Sequence, residues 1–174
     1  AALAAEQFGA ACFGIVASGQ AVADDELDAV CEAAATIRQA TAMALSASLG
    51  MLSPHKLARL RAAGVTRYHH NLETSRAFYP RICATQTWDD RRATIIAAKE
   101  IGFEVCGGGI CGLGESWEDR IDLALALREL GITSIPINFL NPIAGTPLAK
   151  TPPLSPDEAL RAIAVFRMIL PKAT

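Results

Sequence analysis

Five times along the chain, a short apolar run suited to a buried strand is followed by a helix that opens on its own capping signal. The runs are 11–17 (ACFGIVA), 43–49 (MALSASL), 65–68 (VTRY), 103–107 (FEVCG) and 133–139 (TSIPINF). Asp24 is placed to cap a helix whose Leu27, Val30, Cys31, Ala34 and Ile37 share one face. Ser53 with Pro54 opens a second helix that buries Leu57 and Leu60 and stops at Gly64. Thr87 with Asp90 and Ser116 with Asp119 read as capping boxes, for helices ended by Gly102 and Gly131. Ser155, Pro156 and Glu158 open the last helix. Strand and helix in strict alternation is the pattern of a parallel α/β sheet, because each parallel pair needs a crossover to return the chain.

In such an array ligands collect where strands run into helices. The unusual residues of this chain fall there: ASGQ, LGMLS, HHNLETS, CGGGICGLGES and NFLNPIAGTPL each follow one of the five runs. Chemistry confined to one rim favours a barrel over a two-sided open sheet. Residues 1–174 are expected to form one domain, since no Pro, Gly or Ser linker breaks the series and 51% of residues are hydrophobic, enough for one core. The net charge of −2 is spread without a basic stripe, which argues against nucleic acid and anionic membrane partners. No charge-free apolar stretch of about 18 residues occurs, so a cytoplasmic location is expected. Cys12, Cys31, Cys83, Cys106 and Cys111 are odd in number and irregularly spaced, which suits reduced thiols; Cys31, Cys83 and Cys111 are expected as small buried side chains.

Residues 105–116, VCGGGICGLGES, concentrate glycine and sulfur in one turn. Gly107, Gly109 and Gly112 satisfy a GxGxxG outline, but the helix starts only at Ser116 and the next run ends near Asn138 rather than on an acid, which weakens a dinucleotide reading. Cys106 and Cys111 have no CxxC or HxxxH partner, which weakens a zinc reading. Gly108, Ile110, Gly112 and Glu115 spell GxIxGxxE, which resembles the adenine-side motif of radical S-adenosylmethionine enzymes. If residues 68–73 are extended, His69, Asn71 and Glu73 lie on one side of the backbone, with Tyr68 and His70 on the other.

The segments YHHNLETS (68–75), EVCGGGICGLGES (104–116) and SIPINFLNPIAGTPL (134–148) together resemble the biotin synthases, and the likeness runs over essentially the whole chain. It implies a partial TIM-type (βα)8 barrel of parallel strands, supplying the middle βα units. It implies sulfur insertion into dethiobiotin through a 5′-deoxyadenosyl radical, with S-adenosylmethionine, a 4Fe-4S cluster and an auxiliary iron–sulfur cluster as cofactors. A reducing electron donor protein and a homodimeric state are implied as partners. Asn71 and Glu73 match positions that contact the ribose, Arg91 one that reaches the methionine carboxylate, and Ile110, between Gly108 and Gly112, one that packs on adenine. His69 and Asn138 match substrate-side positions, and Cys106 a ligand of the auxiliary cluster. The residue types suit these tasks: a carboxylate accepts from paired hydroxyls, a guanidinium grips a carboxylate, and an amide both donates to and accepts from a neutral ureido ring.

The sequence also departs from the family. The CxxxCxxC motif, whose three thiolates hold the 4Fe-4S cluster, is absent from these residues and is expected upstream of Ala1. Gly14 and Ser46 stand where many relatives carry auxiliary-cluster cysteines, Cys12 where an arginine is common, and His69 where an asparagine is common. Two other readings therefore remain: a related radical enzyme with another substrate, and a non-catalytic α/β scaffold that binds a nucleoside.

Overall fold

A computed structural model describes residues 1–174, which divide into two compact units. The first comprises Ala1–His70 and Ala93–Val105, the second Asn71–Arg92 and Cys106–Thr174.

In the first unit, helix α1 (Ala2–Gln7) precedes strand β1 (Cys12–Val16), helix α2 (Asp24–Ala40), strand β2 (Ala44–Ser48), helix α3 (Pro54–Ala62) and strand β3 (Arg67–His69). Helix α4 (Trp88–Glu100) opens in the second unit and ends in the first, leading to strand β4 (Glu104–Cys106). The four strands lie in the order β1-β2-β3-β4. Cys12 to Val16 pair in parallel with Ala44 to Ser48, and Ser46 and Ala47 with Arg67 and Tyr68, as the strand–helix alternation requires. Leu45 and Ala47 face the core with Leu27, Leu57, Leu60 and Val65, all essentially buried. Tyr68 is buried too, and its hydroxyl escapes the cost of desolvation by donating to Gly50 O at 2.6 Å.

The second unit contains a short 3-10 turn (Tyr79–Arg81), the first turn of α4, strand β5 (Gly109–Cys111), helix α5 (Trp117–Glu129), strand β6 (Ile137–Phe139) and helix α6 (Pro156–Ile169). Gly109, Ile110 and Cys111 pair in parallel with Ile137, Asn138 and Phe139. Leu123, Ala124 and Leu127 of α5 and Ala162 and Phe166 of α6 are buried, and the two helices pack together. Trp88 is buried where α4 begins, and its indole N–H is donated to Thr74 O at 3.0 Å.

Most capping signals act where the sequence puts them. Ser53 Oγ accepts from Lys56 N, Ser116 Oγ from Asp119 N and Ser155 Oγ from Glu158 N. Thr87 and Asp90 exchange hydrogen bonds at 3.0 and 3.1 Å. Gly64, Gly102 and Gly131 take positive φ just past their helices.

Four details differ from expectation. Asp24 is the first residue of α2, not its cap; the cap is Ala23, whose N–H is donated to Glu26 Oε2 at 2.9 Å. The glycine turn contains a sixth strand, β5, where only a loop was expected. The run 133–139 narrows to β6, with a single bridge from Ser134 to Cys106 ahead of it, because Pro136 interrupts the ladder with no N–H to give. Cys111 is buried as expected, but Cys31 and Cys83 are partly exposed.

Candidate functional site

The site is built in the second unit from the segment Asn71–Ser75, the first turn of α4 and strand β5. Burial alternates along the approach to it: Tyr68, His70, Leu72 and Thr74 are buried, whereas His69, Asn71 and Glu73 keep partial exposure. The expected alternation of sides therefore persists past the end of β3. Glu73 breaks the extended path with φ of +68°, the one non-glycine residue of the chain in the left-handed region.

That turn is held by a mesh of main-chain bonds. Leu72 and Glu73 N–H groups are donated to Gly108 O at 3.0 and 3.2 Å, and Ile110 N–H to Glu73 O at 2.8 Å. Asn71 Oδ1 accepts from Gly108 N at 2.8 Å while its amide nitrogen reaches Glu73 Oε2 at 3.4 Å. Asn71, Glu73, Gly108 and Ile110, separated by up to 39 residues, thus belong to one cluster.

Arg91 joins the cluster from α4, one turn beyond its Thr87 cap. Its Nη1 donates to Asn71 O at 2.9 Å and to Glu73 Oε1 at 3.4 Å, and its Nε donates to the Tyr79 hydroxyl at 2.7 Å. Nη2 makes no such bond, so the guanidinium presents one open N–H edge rather than the whole fork expected for a carboxylate. Tyr79 was not singled out by the sequence, because it lies 12 residues from Arg91 and only the fold joins them. Burial pushes the Glu73 carboxyl above its ordinary value, against the downward pull of Arg91 and Asn71.

The glycines serve the protein before any ligand. A Cβ on Gly108 would stand 1.9 Å from Pro136 O, and one on Gly109 would stand 2.4 Å from Glu73 O. Both residues let neighbouring backbone segments close in. Gly112 differs from both, with φ of +94°.

Asn138 sits directly across from Ile110 in the β5–β6 ladder and is exposed. Parallel partners project to the same side, so the two side chains share one face. Cys106 Sγ accepts from Ser134 Oγ at 3.4 Å. His69 belongs to the first unit, where it ends β3 partly exposed, and burial lowers its pKa. Gly14 and Ser46 face each other across β1 and β2 in that unit, consistent with small side chains: a Cβ on Gly14 would meet Ser46 Oγ at 3.3 Å.

The arrangement offers a carboxylate, an amide, a guanidinium edge and an aliphatic side chain at the carboxyl ends of parallel strands. These are the groups that grip a polar, carboxylate-bearing nucleoside. A groove of about 810 Å3, lined by residues such as Arg76, Trp88, Asp122 and Glu129, lies apart from this cluster. No group of three or more His, Cys, Asp or Glu side chains is arranged to hold a metal ion, so the residues present do not fit an iron–sulfur cluster by themselves. No helix is long and apolar enough to cross a membrane.

Residues 5–139 match the family model described as the radical SAM superfamily. The chain belongs to the radical SAM superfamily. Residues 136–174 of this radical SAM chain match a second model, the Biotin and Thiamin Synthesis associated domain. The chain is 53% identical over 168 residues to a biotin synthase of Heliobacterium modesticaldum, covering 97% of this chain and 52% of that relative. It is 56% identical over 137 residues to a biotin synthase of Desulforudis audaxviator, covering 79% and 42%. The radical SAM chain thus spans about half the length of the curated relatives it matches. Among solved structures, methylornithine synthase superposes with a TM-score of 0.84 at 20% identity, covering 94% of this chain and 49% of that one. HydG, a maturase of the FeFe-hydrogenase, superposes with 0.83 at 18% identity, covering 99% and 42%. At such identities these two speak for the fold alone, a radical SAM barrel of which this chain forms part.

Proposed function

We propose that this chain provides the nucleoside-binding portion of a biotin synthase-like radical SAM enzyme, one that inserts sulfur into dethiobiotin. The observation that carries the reading is the single hydrogen-bonded cluster of Asn71, Glu73, Arg91, Gly108 and Ile110. The family and the identity of about half to biotin synthases support the substrate.

Each residue has work suited to its chemistry. The Glu73 carboxylate accepts from ribose hydroxyls, held at the right angle by its left-handed backbone and by Asn71. The open Nη2 edge of Arg91 takes the methionine carboxylate, and Tyr79 fixes the plane of that guanidinium. Ile110 packs on adenine, flanked by Gly108 and Gly112. Asn138, on the same face of the ladder as Ile110, meets the ureido ring of dethiobiotin. Cys106 remains the candidate ligand of an auxiliary cluster whose other ligands this chain does not show.

S-adenosylmethionine, when reductively cleaved, supplies the radical strong enough to remove hydrogen from unactivated carbon. The role of this chain is to orient the cosubstrate and keep water and stray hydrogen donors away. The whole enzyme works as a homodimer in the cytoplasm with a reducing electron donor protein, and residues 1–174 form one part of its barrel domain.

The test is anaerobic turnover by the intact protein with S-adenosylmethionine, a reductant and dethiobiotin, read by mass spectrometry. Formation of 5′-deoxyadenosine together with biotin is expected. 5′-Deoxyadenosine without biotin would reassign the substrate, and neither product would defeat the reading.

A further inference from the structure

Glu115, in the loop between β5 and α5, and Arg120, in the first turn of α5, form a charged pair that the proposed chemistry leaves unused. The Glu115 side chain is 1% exposed, and its Oε1 accepts from both Gly112 N at 2.8 Å and Arg120 Nε at 2.6 Å. The Arg120 side chain is 6% exposed, and its guanidinium carbon lies 4.7 Å from the centroid of the Trp117 ring. Glu115 Oε2 and Arg120 Nη1 have no partner at all.

A buried pair that leaves one oxygen and one nitrogen unpaired is a poor way to stabilise a fold, since apolar side chains of similar volume would do as well or better. Its geometric effect is sharper. The N–H of Gly112 lies in a turn with φ of +94°, where the chain leaves β5 immediately after Ile110 and Cys111. The carboxylate that receives this N–H is itself fixed by a guanidinium stacked on an indole, so the position of the turn is decided one helical turn inside α5. Ser116 and Asp119 cap the same helix, and Ser75 Oγ donates to Asp119 Oδ1 at 2.5 Å, which anchors α5 to the segment bearing Glu73.

We infer that Arg120 is a positioning residue: through Glu115 it holds the Gly112 turn, and with it the Ile110 side chain, in the place where the adenine ring is received. The inference rests on the proposed function, and it assigns a role to a residue that touches neither cosubstrate nor substrate. It follows that the adenine side of the site should loosen when Arg120 is removed, whereas the methionine side, governed by Arg91 and Tyr79, should not.

The test uses the intact protein and three variants: Arg120→Met, Glu115→Gln, and the two combined, which removes the buried charge of both partners. Binding of 5′-deoxyadenosine and of S-adenosylhomocysteine is measured by calorimetry, thermal unfolding is followed in parallel, and amide exchange is read at Gly112. Arg120→Met is expected to weaken 5′-deoxyadenosine by roughly tenfold and to speed exchange at Gly112. The double variant is expected to recover the melting temperature but not the affinity. Should Arg120→Met fold poorly, Glu115→Gln, which keeps an acceptor for Gly112, is expected to show the same loss in milder form. Recovery of wild-type affinity along with stability in the double variant would make the pair merely structural and overturn the inference. So would unchanged affinity in Arg120→Met. A wild-type protein that binds neither probe would instead overturn the proposed function, and this inference with it.

Discussion

The main-chain N–H of Gly108 is donated to Asn71 Oδ1 at 2.8 Å across 37 residues of sequence. The same Asn71 accepts from Arg91 at its main-chain carbonyl and donates from its side-chain amide to Glu73, so one residue ties the glycine turn to both charged residues of the site. Asn71→Ala leaves the buried Gly108 N–H without an acceptor, which costs ~1–3 kcal/mol of stability. A lower urea midpoint with an unchanged slope is the expected result; an unshifted midpoint would show that water replaces the amide without loss.

Tyr79 fixes Arg91 through a 2.7 Å hydrogen bond to Nε while its ring centroid lies 5.8 Å from the guanidinium carbon. Tyr79→Phe removes the hydroxyl and keeps the ring. The loss of about 1 kcal/mol of orienting energy corresponds to a several-fold higher KM for S-adenosylmethionine, with kcat little altered. A fall in kcat at constant KM would place Tyr79 in the chemistry rather than in binding.

Gly109 cannot carry a side chain without displacing its neighbours, since a Cβ would meet Glu73 O at 2.4 Å and Leu123 Cδ2 at 2.6 Å. Gly109→Ala is therefore expected to cost ~1–3 kcal/mol or more through overpacking. Gly145→Ala is the comparison that isolates contact from strain, because nothing lies within 4 Å of its Cβ and only its φ of +84° resists the change. Equal losses at the two positions would remove the packing argument.

The pH dependence of Glu73 has a definite sign. Burial raises its carboxyl above the ordinary value of 4.5, outweighing Arg91 and Asn71, so the fold favours the protonated form. Its contribution to stability is fully present below 4.5 and is lost as the pH rises through the raised value. Glu73→Gln should accordingly stabilise the ligand-free protein at neutral pH, with the gain shrinking on acidification. Thermal unfolding between pH 4 and 8 checks this, and a gain that grows towards acid would contradict it.

Two cysteines should differ sharply in reactivity. Burial pushes the Cys83 thiol up, but hydrogen bonds from Thr85, Tyr79 and the Thr85 and Gln86 backbone outweigh it and bring the thiol down to about 7. Burial, followed by the nearby Glu115 carboxylate, pushes Cys111 up to about 11. Iodoacetamide near pH 7.5 should label Cys83 well before Cys111, as read by peptide mass spectrometry. Comparable rates would mean that the thiolate of Cys83 is not favoured.

Much of the architecture was written locally. Ser53, Thr87, Ser116 and Ser155 each satisfy an N–H three residues ahead, so four helix starts could be read from adjacent letters. Parallel pairing followed from the alternation of elements, and among the residues that the family resemblance pointed to, Asn71, Glu73, Arg91, Gly108 and Ile110 are joined by hydrogen bonds. What the letters could not show are contacts made through space. Strand β5 exists because Gly109–Cys111 finds Ile137–Phe139 beside it, not because a glycine run favours a strand. Tyr79 and Arg120 carry no motif; their bonds to Arg91 and Glu115 form only in the folded chain. Capping and periodicity act over one or two turns of chain and are legible in sequence, whereas the placing of a guanidinium or the closing of a glycine onto a carbonyl is decided only when distant segments pack.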